Sequence, residues 1–243
     1  VANTGPDDDH PMRGGPIVGD LVPGLQVTVG LLAALLHAER TGEGQFLDVA
    51  MVDGIMSICE TAHTLWAYEG VTHERVGNNL SAAAPIDVYP TADGSISLVG
   101  LTDTHWRHLT KAMGRPELAD DERFATLAAR SANRGEVDVV VRAWCAANTR
   151  AEILDALGGL VPVGPVYGAP DWDDEPHVAA RGMLVRMEHA THPDTAQLGC
   201  PIKFAATPAN VYRRPPKLGE HTEEIRAELA SHHPESPHGQ SHR

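Results

Sequence analysis

The sequence has few of the residues that build covalent cross-links or nucleic-acid surfaces. The three cysteines in 243 residues, Cys59, Cys145 and Cys200, lie far apart. A sparse, odd set of this kind is typical of reduced thiols in a cytoplasmic protein, and not of a disulfide framework or a zinc site. Basic residues number 19 against 33 acidic ones and form no cluster. The net charge of −14 therefore argues against nucleic acid or an anionic membrane as a partner.

Histidine, in contrast, is abundant, but its spacing does not indicate a metal centre. None of the fourteen histidines forms an H-x3-H or H-x-x-E-H pattern on a predicted helix. His105 and His108 are three residues apart, and no third ligand is evident nearby. Several others lie in a polar segment rich in Ser, Pro and Gly, residues 231–243, which we predict to be disordered. The sequence therefore predicts no metal site.

The hydrophobic content of 42% is enough for one large domain or two smaller ones, and one segment stands out within it. Residues 25 to 38 carry no charge, and their apolar side chains cover every face of a helix. Pro23 suits the first helical turn, so we predict a buried helix over residues 23–38. At about 15 residues this helix is too short to span a bilayer, and we find no signal peptide or transmembrane run.

One carboxylate, Asp20, lies at or just before the start of this helix, between Gly19 and Gly24. The helix dipole favours an ionised group there by roughly 0.3–1 kcal/mol, and aspartate is a preferred capping residue. Nearby glycines are also typical of close approach by a ligand or another backbone. Asp20 is therefore a helix cap or a reactive carboxylate.

Three segments, in this order, resemble the family III CoA-transferases, the CaiB/BaiF superfamily. The first is Pro16-Ile-Val-Gly-Asp-Leu-(x)2-Gly24, followed by the apolar helix and by Glu39-Arg-Thr-Gly-Glu-Gly-Gln45 and Leu47-Asp-Val-Ala-Met51. The second is Arg75-Val-Gly-Asn78 with the small-residue loop that follows it, and the third is Pro216-Lys-Leu-Gly-Glu-His-Thr-Glu-Glu224. The series covers residues 13–229 and is far more specific than any one segment.

The resemblance implies a site and a chemistry. Asp20 would be the covalent nucleophile, and Gly19, Arg75, Gly77 and Asn78 would contact the acyl-CoA. The substrates would be an acyl-CoA thioester and a small carboxylic acid, with no permanently bound cofactor. Ser81-Ala-Ala-Ala84 stands where formyl-CoA transferases have a mobile glycine run, and alanine has less access to positive φ. Asp103 lies where the related racemases carry a glutamate; we expect it to be a helix cap first.

The implied fold is α/β with a small α+β domain, in interlocked homodimers. The chain opens on valine and soon enters an apolar helix, so we expect it to continue something longer. The resemblance implies a preceding half with a Rossmann-like sheet and most contacts to CoA. The expected divisions are a remainder of the large domain (1–85), the small α+β domain (86–178), a return to the large domain (179–230) and the disordered tail (231–243).

Local patterns predict the individual elements. Asp93-Gly94 lies between two apolar runs and predicts a β-hairpin over residues 86–99. Thr149 and Glu152 have the spacing of a capping box, which starts a helix that ends at Gly158-Gly159. We further predict helices over 53–68, 104–113, 133–148 and 222–230, and strands over 46–49, 161–166 and 183–188.

Three functions remain open from the sequence. The first is CoA transfer through Asp20. The second is a 2-methylacyl-CoA racemase, in which Asp20 moves the α-proton and a second acid/base group lies elsewhere. The third is a non-catalytic fragment or half-subunit that needs an N-terminal partner. Because the apolar helix needs a surrounding core, we expect the chain alone to be oligomeric or poorly soluble.

Overall fold

A computed structural model of the chain describes residues 5, 12, 14–80, 82–189, 191–192, 195–209 and 213–232. The helices in these residues are α1 (Val18–Thr41), α2 (Met51–Met56), α3 (Glu60–Glu69), α4 (Asp103–Ala112), α5 (Leu127–Ala132), α6 (Arg134–Ala146), α7 (Arg150–Leu157), α8 (Pro176–Ala180) and α9 (Thr222–His232). The strands are β1 (Ile86–Thr91), β2 (Gly94–Val99), β3 (Val163–Pro165), β4 (Leu184–Arg186) and β5 (Ala196–Leu198). The mixed α/β class predicted from the sequence is confirmed.

The chain divides into two compact units, Val1–Val166 and Tyr167–Arg243. The first holds α1 to α7 and a three-stranded antiparallel sheet in the order β1-β2-β3. The second holds α8, the β4-β5 pair and α9. The four domain divisions expected from the sequence stay predictions. The expected disordered tail lies outside the described residues except for its first two, which continue α9.

Helix α1 is longer and more exposed than predicted. It runs over 24 residues from Val18 to Thr41, with Pro23 one turn inside it, and Gly42 closes it at a φ of 77°. The prediction that it is too short for a bilayer is wrong, since 24 residues rise about 36 Å. By length and composition it could cross a membrane, which is weak evidence because soluble core helices pass the same test.

The predicted burial of α1 is also wrong for this chain taken alone. Pro23 is its one buried residue, whereas Leu25 and Val29 are each 68% exposed. Helix α2 covers α1 at Gly54, where an added Cβ would lie 2.8 Å from Cγ of Pro23. The lack of a side chain at Gly54 therefore allows this crossing. Leu47 approaches α1 at Gly30, and most of the large apolar side chains of α1 remain exposed among the described residues.

The single helix predicted over residues 53–68 is two helices, α2 and α3. The break lies at Ser57, whose hydroxyl donates a 2.8 Å hydrogen bond to the Gly54 carbonyl and accepts one from Gln26 Nε2 of α1. A serine that bonds back to its own helix weakens it, which accounts for the break. The predicted strand over residues 46–49 is absent, because no neighbouring strand pairs with it among the described residues.

The predicted β-hairpin is confirmed, and it forms one wall of the core. Strands β1 and β2 pair antiparallel from Ile86 opposite Val99 to Thr91 opposite Gly94. Tyr89 is fully buried and donates a 2.7 Å hydrogen bond to Asp138, and burial raises the pKa of its hydroxyl. The core beneath the sheet is formed by Ile96, Leu98, Trp106, Leu109, Leu118, Phe124, Val137, Val141, Cys145, Ile153, Leu157 and Val161.

The helices of this core follow their sequence signals, with one addition. Thr149 and Glu152 form the predicted capping box at the start of α7. Helices α4 and α6 lie within one or two residues of their predicted bounds, whereas α5 was not predicted. The three cysteines are free, as expected. Burial raises the pKa of the Cys145 thiol to about 12, so this cysteine is a core residue and not a nucleophile.

Candidate active site

The carboxylate of Asp20 lies in the first turn of α1 and is exposed. Its backbone N–H donates to the Ile17 carbonyl at 3.1 Å. Among the described residues the carboxylate has no hydrogen-bond or ion-pair partner, and the helix has no side-chain N-cap bond. Asp20 is therefore an accessible carboxyl group at the positive end of a long helix, and the capping role considered from the sequence is not seen among the described residues.

The two glycines beside Asp20 leave open space around the carboxylate. Apart from its sequence neighbours and the backbone of α1, a Cβ built at Gly19 or at Gly24 meets no atom of the described residues within 4 Å. The Gly19 N–H donates to no backbone carbonyl in the described part of the chain. No other segment of the described residues makes the close approach expected at these glycines, and a ligand there remains a prediction.

The Arg75-Val-Gly-Asn78 segment forms a loop in the same unit as α1. Arg75 is half-buried, whereas Gly77 and Asn78 are exposed. Gly77 has a φ of 65°, in the region that favours glycine, and its N–H donates to the Gly5 carbonyl at 3.0 Å. No hydrogen bond joins Asp20 to Gly77 or Asn78 among the described residues, so their placement in one site stays a prediction.

Two arginines that the sequence analysis missed hold the end of this loop. Arg130 is fully buried; its Nε donates to the Ala84 carbonyl at 3.0 Å and its Nη1 to the Phe124 carbonyl at 2.9 Å. Arg134, one helical turn later, donates to the side chain of Asn79 at 2.9 Å and to the carbonyls of Leu80 and Ala83. The loop is thus bound to α5 and α6.

The third hydrogen bond of Arg130 accounts for the role of Asp103 in this fold. The carboxylate of Asp103 accepts from Nη2 of Arg130 at 3.0 Å and is 46% exposed. Thr102, and not Asp103, caps α4, because its hydroxyl accepts from the His105 N–H. Burial lowers the pKa of the Arg130 guanidinium, and the bond to Asp103 offsets part of that effect. Asp103 is therefore an ion-pair partner in this chain, which corrects the expected capping role.

An open groove lies along α2 and α3, next to the part of α1 that follows Asp20. Its volume is about 720 Å³, within the range of small-molecule sites. The lining residues are Asp53, Met56, Ser57, Cys59, Glu60, Ala62 and His63. Ser57 links the groove to α1, because its hydroxyl accepts from Gln26. No three His, Cys, Asp or Glu side chains are placed to hold a metal ion in the part of the chain that the structure describes.

The third segment of the resemblance, which begins at Pro216, lies in the second unit. Glu220 accepts from both terminal nitrogens of Arg214, at 3.0 and 2.5 Å, and from the Lys217 N–H at 2.7 Å. The Arg214 side chain, and then the Lys217 N–H, lower the pKa of Glu220 to about 2. Glu220 therefore closes the turn that leads into α9.

Comparisons with known proteins agree on one family. The model of CoA-transferase family III matches residues 1–222. The succinyl-CoA:mesaconate CoA-transferase of Haloarcula marismortui is 37% identical over 223 residues, which are 91% of this chain and 56% of that protein. The succinyl-CoA–D-citramalate CoA-transferase of Chloroflexus aurantiacus is 34% identical over 94% of this chain and 57% of its own length.

A solved structure agrees as well. The crystal structure of a CaiB/BaiF family protein from Brucella suis is similar with a TM-score of 0.78 and 30% identity, over 94% of this chain and 59% of that one. The chain thus spans somewhat more than half the length of the relatives that it matches. Because the family model covers most of the sequence, the chain belongs to CoA-transferase family III.

Proposed function

We propose that this chain is the part of a family III CoA-transferase that carries the nucleophile, and that the nucleophile is Asp20. The observation that supports this most is the exposed carboxylate in the first turn of α1, which has no partner among the described residues, within a chain whose family match runs over residues 1–222. Relatives that are 34–37% identical are named as CoA-transferases. We propose the cytoplasm as the location of the reaction.

The proposed reaction proceeds through Asp20 in four displacements. A carboxylate oxygen of Asp20 attacks the carbonyl carbon of the acyl-CoA thioester, the C–S bond breaks, and CoA leaves as the thiolate. The thiolate attacks the Asp20 carbonyl carbon of the mixed anhydride and releases the donor carboxylate. The acceptor carboxylate then attacks the aspartyl-CoA thioester, and the thiolate finally attacks the acceptor acyl group. No net proton or electron is transferred, and Asp20 is regenerated.

Each displacement develops negative charge on a carbonyl oxygen. A backbone N–H that stabilises such an oxygen contributes about 3–4 kcal/mol. We propose the N–H of Gly19 for this role, since it has no backbone acceptor among the described residues and Gly19 carries no side chain of its own. We propose that Arg75, Gly77 and Asn78 contact the CoA thioester and that the α2–α3 groove receives its acyl group. The position of the groove beside α1 supports the second assignment.

The names of the relatives suggest the substrates to test. Succinyl-CoA is the donor in the names of the proteins from Haloarcula and Chloroflexus, with mesaconate and D-citramalate as acceptors. The chain is incubated in D₂O with succinyl-CoA and each acid, and the thioesters are identified by mass. We expect the acceptor's CoA thioester to form. Deuterium at an α-carbon of the acyl group without any acceptor acid would instead support the racemase.

We further propose that the exposed faces of α1 are covered by another polypeptide. This is either a second copy of the chain or a polypeptide that corresponds to the part of the relatives that this chain does not match. Leu25, Val29 and Leu32 are more than half exposed on this one helix, and apolar patches of this kind favour association. We expect the isolated chain to sediment as a dimer or larger species, and Leu32→Glu to weaken that association. A monodisperse monomer that melts cooperatively would contradict this proposal.

A further inference from the structure

The loop that follows Asn78 is held by a set of three side chains, Arg130, Ser131 and Arg134, which we call the clamp. Ser131 Oγ donates to the Ala82 carbonyl at 3.0 Å. Arg130 binds the carbonyl of Ala84, and Arg134 binds the carbonyls of Leu80 and Ala83. The clamp thus donates hydrogen bonds to the backbone carbonyls of residues 80, 82, 83 and 84 and to the side-chain oxygen of Asn79.

Water cannot replace the clamp at the end of the loop. Ala83 is 2% exposed and Ala84 is fully buried, so a carbonyl that loses its arginine there has no solvent to bind. An unsatisfied buried carbonyl costs about 1–3 kcal/mol, and bonds from a charged donor are the stronger kind. The clamp therefore fixes this loop to α5 and α6 and, through Arg130, to the core beside Trp106.

We infer that Arg134 and Ser131 are positioning residues for acyl-CoA binding. Arg134 holds Asn79, which directly follows Asn78 and lies two residues beyond Gly77. Neither Arg134 nor Ser131 needs to touch the substrate, because each acts through the loop. The inference rests on the proposed function, in which Arg75, Gly77 and Asn78 contact the CoA thioester. It assigns the precision of that contact to side chains more than 50 residues away along the sequence.

The test compares Arg134→Met and Ser131→Ala with Arg123→Met. Arg123 is the matched control: it lies in the same region, and it pairs with Asp121 and Glu136 and not with the loop. Two readouts are taken, amide hydrogen exchange of peptides that cover residues 79–85, and kcat and KM for the acyl-CoA. Arg134→Lys is included because it keeps the positive charge but has fewer hydrogen-bond donors than arginine, so we expect it to preserve part of the wild-type behaviour.

We expect Arg134→Met to raise the amide exchange rate in these peptides about tenfold and to raise KM about tenfold. The change in kcat should be less than about threefold. Ser131→Ala should change exchange and KM in the same direction by smaller factors. It replaces Arg134→Met in the test if that variant does not fold. Arg123→Met should match the wild type. Unchanged exchange, or faster exchange with a wild-type KM, overturns the positioning role. A wild-type chain that transfers no CoA counts against the proposed function, and the exchange data then decide alone whether the clamp holds the loop.

Discussion

Replacement of Asp20 by alanine is expected to abolish CoA transfer, with a fall in kcat on the order of 10⁴-fold or more. Every displacement in the proposed reaction forms or breaks a bond to the Asp20 carboxyl, so no step remains without it. The structure itself should survive, because the carboxylate is exposed and unpartnered among the described residues. The change is measured as the rate at which the acceptor's CoA thioester forms, with circular dichroism as a check on folding.

Asp155→Ala is the matched control for this substitution. Asp155 is likewise an exposed aspartate in a helix, α7, and it lies outside the proposed site. We expect it to retain transfer within about threefold of the wild type, as exposed substitutions usually do. Asp20→Asn is less suitable than alanine, because deamidation would restore the acid. Full transfer by the alanine variant would contradict the nucleophile assignment.

Replacement of Arg130 by methionine is expected to lower the free energy of unfolding of the first unit by about 3–5 kcal/mol. The substitution removes the guanidinium that satisfies the carbonyls of Ala84 and Phe124, and both carbonyls then stay in the core without a donor. Trp106, which is 1% exposed and lies 5.6 Å from Arg130, provides a fluorescence signal for a urea titration.

Two further variants separate the contributions to this effect. Arg115→Met removes an arginine whose ion pair with Glu117 is exposed on both sides, and such pairs contribute about 0–1 kcal/mol. Asp103→Asn keeps the arginine and removes its carboxylate partner, and we expect a loss between those of the other two variants, because Asp103 is 46% exposed. A loss for Arg130→Met no larger than that for Arg115→Met would show that the buried bonds of Arg130 do not stabilise the unit.

The features that sequence predicted well are local. The hairpin is specified by Asp93-Gly94 between two apolar runs, and the start of α7 is specified by Thr149 and Glu152. In each case the residues that decide the structure lie within a few positions of one another. The order of the three family segments also predicts the family, which the family match over residues 1–222 confirms.

The features that sequence missed depend on distant contacts. Arg130 carries no periodic signal of burial, and its partner Ala84 lies 46 residues earlier in the chain. The strand expected at residues 46–49 has suitable side chains, but a strand needs a neighbour, and none pairs with it among the described residues. Helix α1 has an all-apolar pattern that predicts burial, and burial requires surrounding elements which α2 supplies only around Pro23.

The role of Asp20 is tested most directly by trapping its covalent intermediate. The purified chain is incubated with a panel of acyl-CoAs that includes succinyl-CoA, its intact mass is recorded, and its peptides are mapped. We expect a CoA-sized adduct on the peptide that contains Asp20, released by hydroxylamine and absent from Asp20→Ala. The experiment is repeated with an added polypeptide that corresponds to the part of a relative that this chain does not match. If no donor gives an adduct at Asp20 in either case, the proposed nucleophile is wrong.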